Sequence, residues 1–256
     1  MDLDRYFERI GYRGGTEPTL AALAALHEAH VFSIPFENLD VCAGLPISLE
    51  LEDLFEKIVL RGRGGYCYEM NTLFAGVLRE LGFRVAEMLA RTSNGGPYTA
   101  KLHHTMTVEI DGSLHLADVG YGTDGISSPL RLEFDAEQRQ FGNVYRFTRD
   151  ERLGHVLERR AGDGFIAMYA FTLEEAMPVD FEAANYYNAT HPDSFFRAAP
   201  FCTMPTPSGR VTLSASSLKI VEGGRVSERE VRGEDEFAAL LMRHFGLEYR
   251  RGQGPR

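Results

Sequence analysis

The run Arg61-Gly62-Arg63-Gly64-Gly65-Tyr66-Cys67-Tyr68-Glu69-Met70-Asn71 constrains this chain more than any other stretch. Gly62, Gly64 and Gly65 permit a backbone that bulkier residues would not take, and apolar residues then fall at Met70, Leu73, Phe74, Val77, Leu78 and Leu81. That spacing predicts a helix. Extending its stripe back from Met70 by one helical turn reaches Cys67, which places the thiol in the first turn and facing inward. Unpaired backbone N–H groups and the positive end of the helix dipole favour an anion there. Cys67 is therefore a candidate nucleophile; the alternative is a small buried hydrophobe.

With 256 residues, 44% of them hydrophobic, the chain can bury a large core and suits two or three subdomains sharing one site. A net charge of −10 without a long basic run argues against nucleic acid or an anionic membrane as partner, so any anionic ligand must be held by local groups. The 3 cysteines, Cys42, Cys67 and Cys202, are widely spaced and odd in number, and Met1-Asp2-Leu3-Asp4 has neither the basic nor the apolar region of a signal peptide. Free thiols and a cytoplasmic location are expected. No apolar run approaches the ~20 residues of a membrane span. A monomer or weak homo-oligomer is expected.

Before Cys67 the pattern is helical. Leu20, Leu23 and Leu26 follow a Thr19 N-cap, Ile34-Pro35 breaks that helix, and Ser48 can cap a second one with the stripe Leu51, Leu54, Phe55, Ile58 and Val59. With the Cys67 helix, ended by Gly82, residues 1–84 make a helical bundle. From Phe83 the period becomes two, at Val85 to Arg91, Leu102 to Ile110 and Ser113 to Val119. Further runs at Gln140 to Phe147, Gly154 to Leu157 and Phe165 to Phe171 suit a small antiparallel barrel. A short helix over Asp180 to Tyr187 precedes a boundary at His191-Pro192, giving 85–192 as the barrel segment. Residues 193–256 give strands near Thr203, Arg210 to Leu213 and Leu218 to Val221, a Gly223-Gly224 turn, another strand, and a helix with the stripe Phe237, Leu240, Leu241, His244 and Phe245 closed by Gly246.

A two-residue turn at Asp111-Gly112 fixes a hairpin register: Ile110 opposite Ser113, Val108 opposite His115, Thr105 opposite Asp118 and His104 opposite Val119. His103 shares a face with Thr105, so it is a diagonal neighbour of Asp118, about 7–8 Å away by backbone. His104 points to the other face. The hairpin offers a His–Asp pair, and the helix start offers the thiol that such a pair activates, which is the logic of papain-like sites. The alternative is a polar strand pair on a barrel rim. A bulge in either strand would present His104 instead.

Other features read more plainly. Glu37 stands among apolar neighbours and needs a cation if buried; Arg63 is the candidate. His27-Glu28-Ala29-His30 has i, i+3 spacing rather than that of a zinc helix, and both histidines are expected at the surface. Gly120-Tyr121-Gly122 reads as a tight turn that lets a substrate approach the backbone, Cys42 and Cys202 as inert thiols, and Tyr186-Tyr187 as packing residues.

Arg63 through Asn71 resembles the active-site signature of the arylamine N-acetyltransferases. So do Tyr6 through Tyr12, Ile34-Pro35-Phe36-Glu37-Asn38-Leu39, Val108 through Gly112, Ala117 through Gly122, and His191-Pro192-Asp193-Ser194-Phe195-Phe196, in order along the chain. The resemblance implies an α+β, three-part, papain-like architecture: an N-terminal helical bundle, a central antiparallel β-barrel and a C-terminal α/β lid. It implies a catalytic triad of Cys67, His103 and Asp118, acetyl-CoA as co-substrate, no metal, and an arylamine or arylhydrazine as acetyl acceptor. The loop Gly120, Tyr121, Gly122 and Thr123 is then expected to meet coenzyme A and the amine. Thr123-Asp124 departs from the small or apolar residues of many members, and there is no tryptophan. The same triad would also serve a cysteine amidase or a transglutaminase-like enzyme, and a catalytically silent binding protein is a third reading.

Overall fold

The computed structural model describes residues 1–249. Helix α1 (Leu3–Ile10) starts where the Asp2 side chain accepts from the Arg5 N–H and stops at Gly11 in the left-handed region. Helix α2 (Leu20–Ser33) is capped by the Thr19 hydroxyl, as the pattern predicts. The short strand β1 (Phe36–Glu37) and helices α3 (Leu39–Cys42) and α4 (Leu51–Leu54) follow. Ser48 is not the cap of α4: Glu50 occupies that position, and the Ser48 hydroxyl instead accepts from the Glu50 N–H and donates to Asp53. Helix α4 also runs on as a π-helix, Phe55–Leu60, in whose wider turns Lys57 is buried together with Ile58 and Val59. The cysteine helix α5 (Cys67–Glu80) lies at the centre of this part and is buried on nearly every side.

Eight strands come next: β2 (Arg84–Thr92), β3 (His103–Ile110), β4 (Ser113–Ala117), β5 (Leu130–Arg131), β6 (Gln138–Gln140), β7 (Asn143–Asp150), β8 (Gly154–Ala161) and β9 (Gly164–Phe171). They form an antiparallel sheet in the order β5-β4-β3-β2-β9-β8-β7-β6, curled into a nearly closed barrel. Its two end strands are joined by side chains rather than by a backbone ladder. The Gln138 amide exchanges two hydrogen bonds with the backbone of Arg131, each 2.8 Å, and Gln140 does the same for Ser128. The single strand expected from Gln140 to Phe147 is in fact a hairpin, with Phe141 and Gly142 at positive φ in its turn. Strand β3 is buried on both faces because Met106, Val108 and Ile110 pack on the helices while the alternate residues face the barrel interior. The expected register holds from Ile110↔Ser113 to Met106↔Ala117, across an Asp111-Gly112 turn with both residues at positive φ. The ladder ends at Ala117, so Asp118 lies just beyond it.

Helix α6 (Pro178–Thr190) runs longer than expected and packs Phe181 and Ala184 against Tyr66 and Tyr68. Tyr186 is exposed rather than packed, whereas Tyr187 stacks on His191 with ring centroids 4.4 Å apart. After α7 (Phe195–Ala198), strands β10 (Phe201–Thr206), β11 (Gly209–Ser214), β12 (Ser217–Glu222) and β13 (Arg225–Glu230) make a second antiparallel sheet. Helix α8 (Gly233–Phe245) covers it with Phe237, Leu240 and Leu241. Strand β1 is the fifth member of this sheet, pairing Glu37 with Cys202, so the C-terminal sheet includes a strand from the N-terminal helical part. No helix among the described residues is long and apolar enough to cross a membrane.

The same β1 strand bridges to the cysteine loop, with the Glu37 N–H donating to Gly65 O at 3.0 Å. Here a charge network is buried. Arg63 donates twice to Glu37 Oε1, at 3.0 and 2.7 Å, and once to Asp40; Lys57 lies 2.7 Å from Asp40 Oδ2 and 2.6 Å from Glu69 Oε1. Gly64 leaves no room for a side chain, since a Cβ there would lie 2.0 Å from Pro35 O. Glu37 is 1% exposed. Arg63→Ala should therefore cost about 3–5 kcal/mol, the penalty for leaving a buried charge unpaired. A thermal melt checks this: a fall of about 10 °C is expected, and an unchanged Tm would contradict the burial argument.

Candidate active site

Cys67 is the first residue of α5, and Tyr66 before it is held by a hydrogen bond from its N–H to Glu69 Oε2 at 3.1 Å. Glu69 thereby reaches back over the helix start while its other oxygen binds Lys57. The thiol is 2% exposed and faces the barrel. His103 opens β3 on the interior face, and its Nε2 lies 2.7 Å from Asp118 Oδ2; the Cys67 side chain lines the same cavity and is among the groups that raise the ring. The structure thus brings Cys67, His103 and Asp118 together. His104 points away: its Nε2 lies 3.0 Å from Glu87 Oε1, and its ring packs on Phe181 with centroids 4.2 Å apart.

Asp118 is 1% exposed and accepts four donors. His103 and the Tyr169 hydroxyl meet Oδ2, the latter at 2.8 Å, while Asn71 Nδ2 and the Gly120 N–H meet Oδ1 at 3.0 and 2.9 Å. These bonds and the His103 charge outweigh burial and hold its carboxyl down at about 2. Burial opposes protonation of His103, but the Asp118 and Cys67 partners outweigh it and raise the ring to about 10. The ring packs against Tyr121 and Tyr169, at 5.3 and 5.0 Å, and those two rings also pack on one another at 5.2 Å.

The site opens into a cavity of about 620 Å³, within the usual range for small-molecule sites. Phe36, Tyr187, Phe195, Phe196 and Phe201 make an aromatic wall, and Thr92, Asn94, Thr99 and Ser194 add polar groups. Gly120, Tyr121 and Thr123 line it as well; Gly122 does not, its carbonyl being turned to Arg210 Nη1 at 2.8 Å. Gly120 has a reason other than substrate approach: a Cβ there would lie 2.8 Å from Cys67 Cα and 2.9 Å from Cys67 O. It is the protein's own backbone that comes close. Cys42 and Cys202 are buried, and burial raises both thiols, Cys42 to about 11. Among the described residues no cluster of His, Cys, Asp or Glu is placed to hold a metal ion.

Two features escaped the sequence reading. Tyr169 carries no local signal, since the long-range pairing of β9 with β2 brings it to Asp118. His27 and His30 are not surface residues: both are fully buried, His27 Nε2 accepting from the Asp118 N–H at 3.1 Å and His30 Nδ1 bonded to the Tyr6 hydroxyl at 2.7 Å. Helix α2 is apolar almost all round and buries the face that carries them.

An N-acetyltransferase family model matches residues 19–253. The arylamine N-acetyltransferase of Mycobacterium tuberculosis is 37% identical over 254 residues, covering 96% of this chain and 89% of that protein. Its solved structure superposes with a TM-score of 0.90, covering 96% of this chain and 93% of that one. The Salmonella typhimurium enzyme, at 32% identity, gives 0.92 with 96% and 90% covered. The Mycobacterium marinum enzyme in complex with CoA, at 34% identity, gives 0.90 with 96% and 92% covered.

The pairing of His103 with Asp118 sets a pH signature. Asp118 contributes stability that is present above its ordinary 3.8 and lost as pH falls towards 2. His103 contributes stability that is complete below its ordinary 6.5 and lost as pH rises towards 10. The Tm difference between wild type and Asp118→Asn should be largest between these windows and narrow on both sides. A difference independent of pH would contradict the pairing.

Proposed function

The chain belongs to the arylamine N-acetyltransferase family, and from that premise we propose that it carries an acetyl group from acetyl-CoA to an aromatic amine or hydrazine through a thioester on Cys67. The single observation that carries the reading is a thiol at a helix start that shares a cavity walled by aromatic rings with a histidine, itself bonded to a buried carboxylate. In this mechanism His103 takes the thiol proton, and Asp118 fixes the ring tautomer and stabilises the imidazolium. The thiolate attacks the acetyl carbonyl. As the carbon–sulfur bond to coenzyme A breaks, His103 returns its proton to the leaving sulfur.

The second half runs in reverse. Acetylation removes the sulfur's negative charge, and with it one of the influences that raise His103, so the ring is better able to exchange the proton of the incoming amine. The amine nitrogen attacks the thioester, His103 accepts its proton, and Cys67 leaves as thiolate. A transferase must keep water from the acyl-enzyme, and the aromatic wall is suited to that. Gly120, Tyr121 and Thr123, beside Cys67, are assigned to the acyl donor and the amine; the CoA complex of the similar Mycobacterium marinum enzyme supports a CoA-dependent reaction here.

Intact-mass analysis after addition of acetyl-CoA tests the proposal. One stable acetyl adduct is expected, absent in Cys67→Ala and discharged by an aromatic amine or hydrazine. Steady-state double-reciprocal plots should be parallel, because one thiol serves two successive partners. Rapid release of acetate without amine would favour the amidase reading and overturn this one.

A further inference from the structure

Among the buried titratable groups outside the proposed triad, His27 bonds directly to the backbone of one of its members. His27 comes from α2, on a different element from all three triad residues, and is fully buried with its ring edge-on to Phe74 at 5.8 Å. Its Nε2 meets the backbone at the point where Asp118 leaves the β3–β4 ladder.

That point needs support. Beyond Ala117 the chain loses its strand partner, and buried N–H groups without acceptors are costly. Three successive N–H groups are taken by side chains instead: Asp118 N–H by His27 Nε2 at 3.1 Å, Val119 N–H by Asn71 Oδ1 at 3.0 Å, and Gly120 N–H by Asp118 Oδ1 at 2.9 Å. Asn71 also donates to the Asp118 carboxylate, so its amide holds both the chain and the anion. His27 holds the first of the three N–H groups and thus the peptide plane from which the Asp118 side chain departs.

We propose that His27 is a positioning residue: as a neutral acceptor it fixes the main chain at Asp118 so that the carboxylate meets His103. The role demands one tautomer. Nε2 accepts a hydrogen bond, so the ring proton must be on Nδ1, which is buried and meets no hydrogen-bond acceptor among the described residues. A doubly protonated ring would present a donor to the Asp118 N–H and break the contact. Burial supports neutrality, holding His27 down at about 4 against the opposing pull of Asp118, with His30 and Phe74 on its other sides.

This inference rests on the proposed triad, and the full-length chain tests it with acetyl-CoA as donor under single-turnover conditions. His27→Leu removes the acceptor and should slow acetylation of Cys67 by up to about 100-fold, as expected for a misplaced catalytic group, with little change in the donor concentration required. His27→Gln places a carbonyl oxygen near the position of Nε2 and should recover most of the rate. Melting curves on both variants separate a slow folded enzyme from an unfolded one. A folded His27→Leu that acetylates at the wild-type rate overturns the proposal, as does a folded His27→Gln no faster than His27→Leu. Should His27→Leu not fold, the ¹⁵N spectrum of labelled histidines in the wild type decides: an unprotonated Nε2 on His27 near neutral pH is expected, and a protonated one overturns the assignment. If wild-type Cys67 takes no acetyl group at all, the triad reading fails, whereas the spectrum still reports on His27.

Discussion

A single buried carboxylate holds the active-site region together. Burying an unpaired anion is prohibitive, so Asp118 imposes donors on everything around it. They come from three places in the chain: Asn71 from the cysteine helix, His103 and Tyr169 from barrel strands, and Gly120 from the loop that follows. Each oxygen is doubly satisfied. Because Asn71 lies one turn after Cys67 on α5, the anion that orients His103 also fixes the helix that carries the thiol. The proposed nucleophile and base are therefore set relative to one another by one hydrogen-bonded centre.

A second constraint acts from behind. Glu37, Asp40 and Glu69 are answered by Lys57 and Arg63, which come from the π-helical turn and the glycine-rich loop. Such a network adds little net stability compared with apolar packing, but removing one member leaves a charge without its partner. Its geometric effect is to fix the start of α5, since Glu69 spans Lys57 and the Tyr66 N–H. Gly64 and Gly120 allow the close approaches on either side, one to Pro35 O and the other to Cys67 itself.

Local physics made much of this legible. The period of α5 places Cys67 inward, and two positive-φ turn residues at Asp111-Gly112 fix the hairpin register as far as Ala117, one residue short of Asp118. What stayed hidden depends on distant parts of the chain. Tyr169 reaches Asp118 from β9, which joins the site through its pairing with β2, a partnership between segments far apart in sequence. His27 and His30 look like surface residues because polarity predicts exposure when no partner is visible in sequence; their partners, Asp118 and Tyr6, lie far along the chain. Ser48 illustrates a local ambiguity, since the same hydroxyl can cap a helix or bind Asp53 just before one.

The central claim is that His103, oriented by Asp118, governs the reactivity of Cys67. The rate of Cys67 alkylation by iodoacetamide, followed from acid to alkaline pH in wild type, His103→Gln and His104→Gln, tests it most directly. A thiolate paired with an imidazolium reacts at low pH, so the wild type and His104→Gln should retain a plateau of acid reactivity that His103→Gln loses. Loss of that plateau in His104→Gln, with His103→Gln unaffected, would contradict the account.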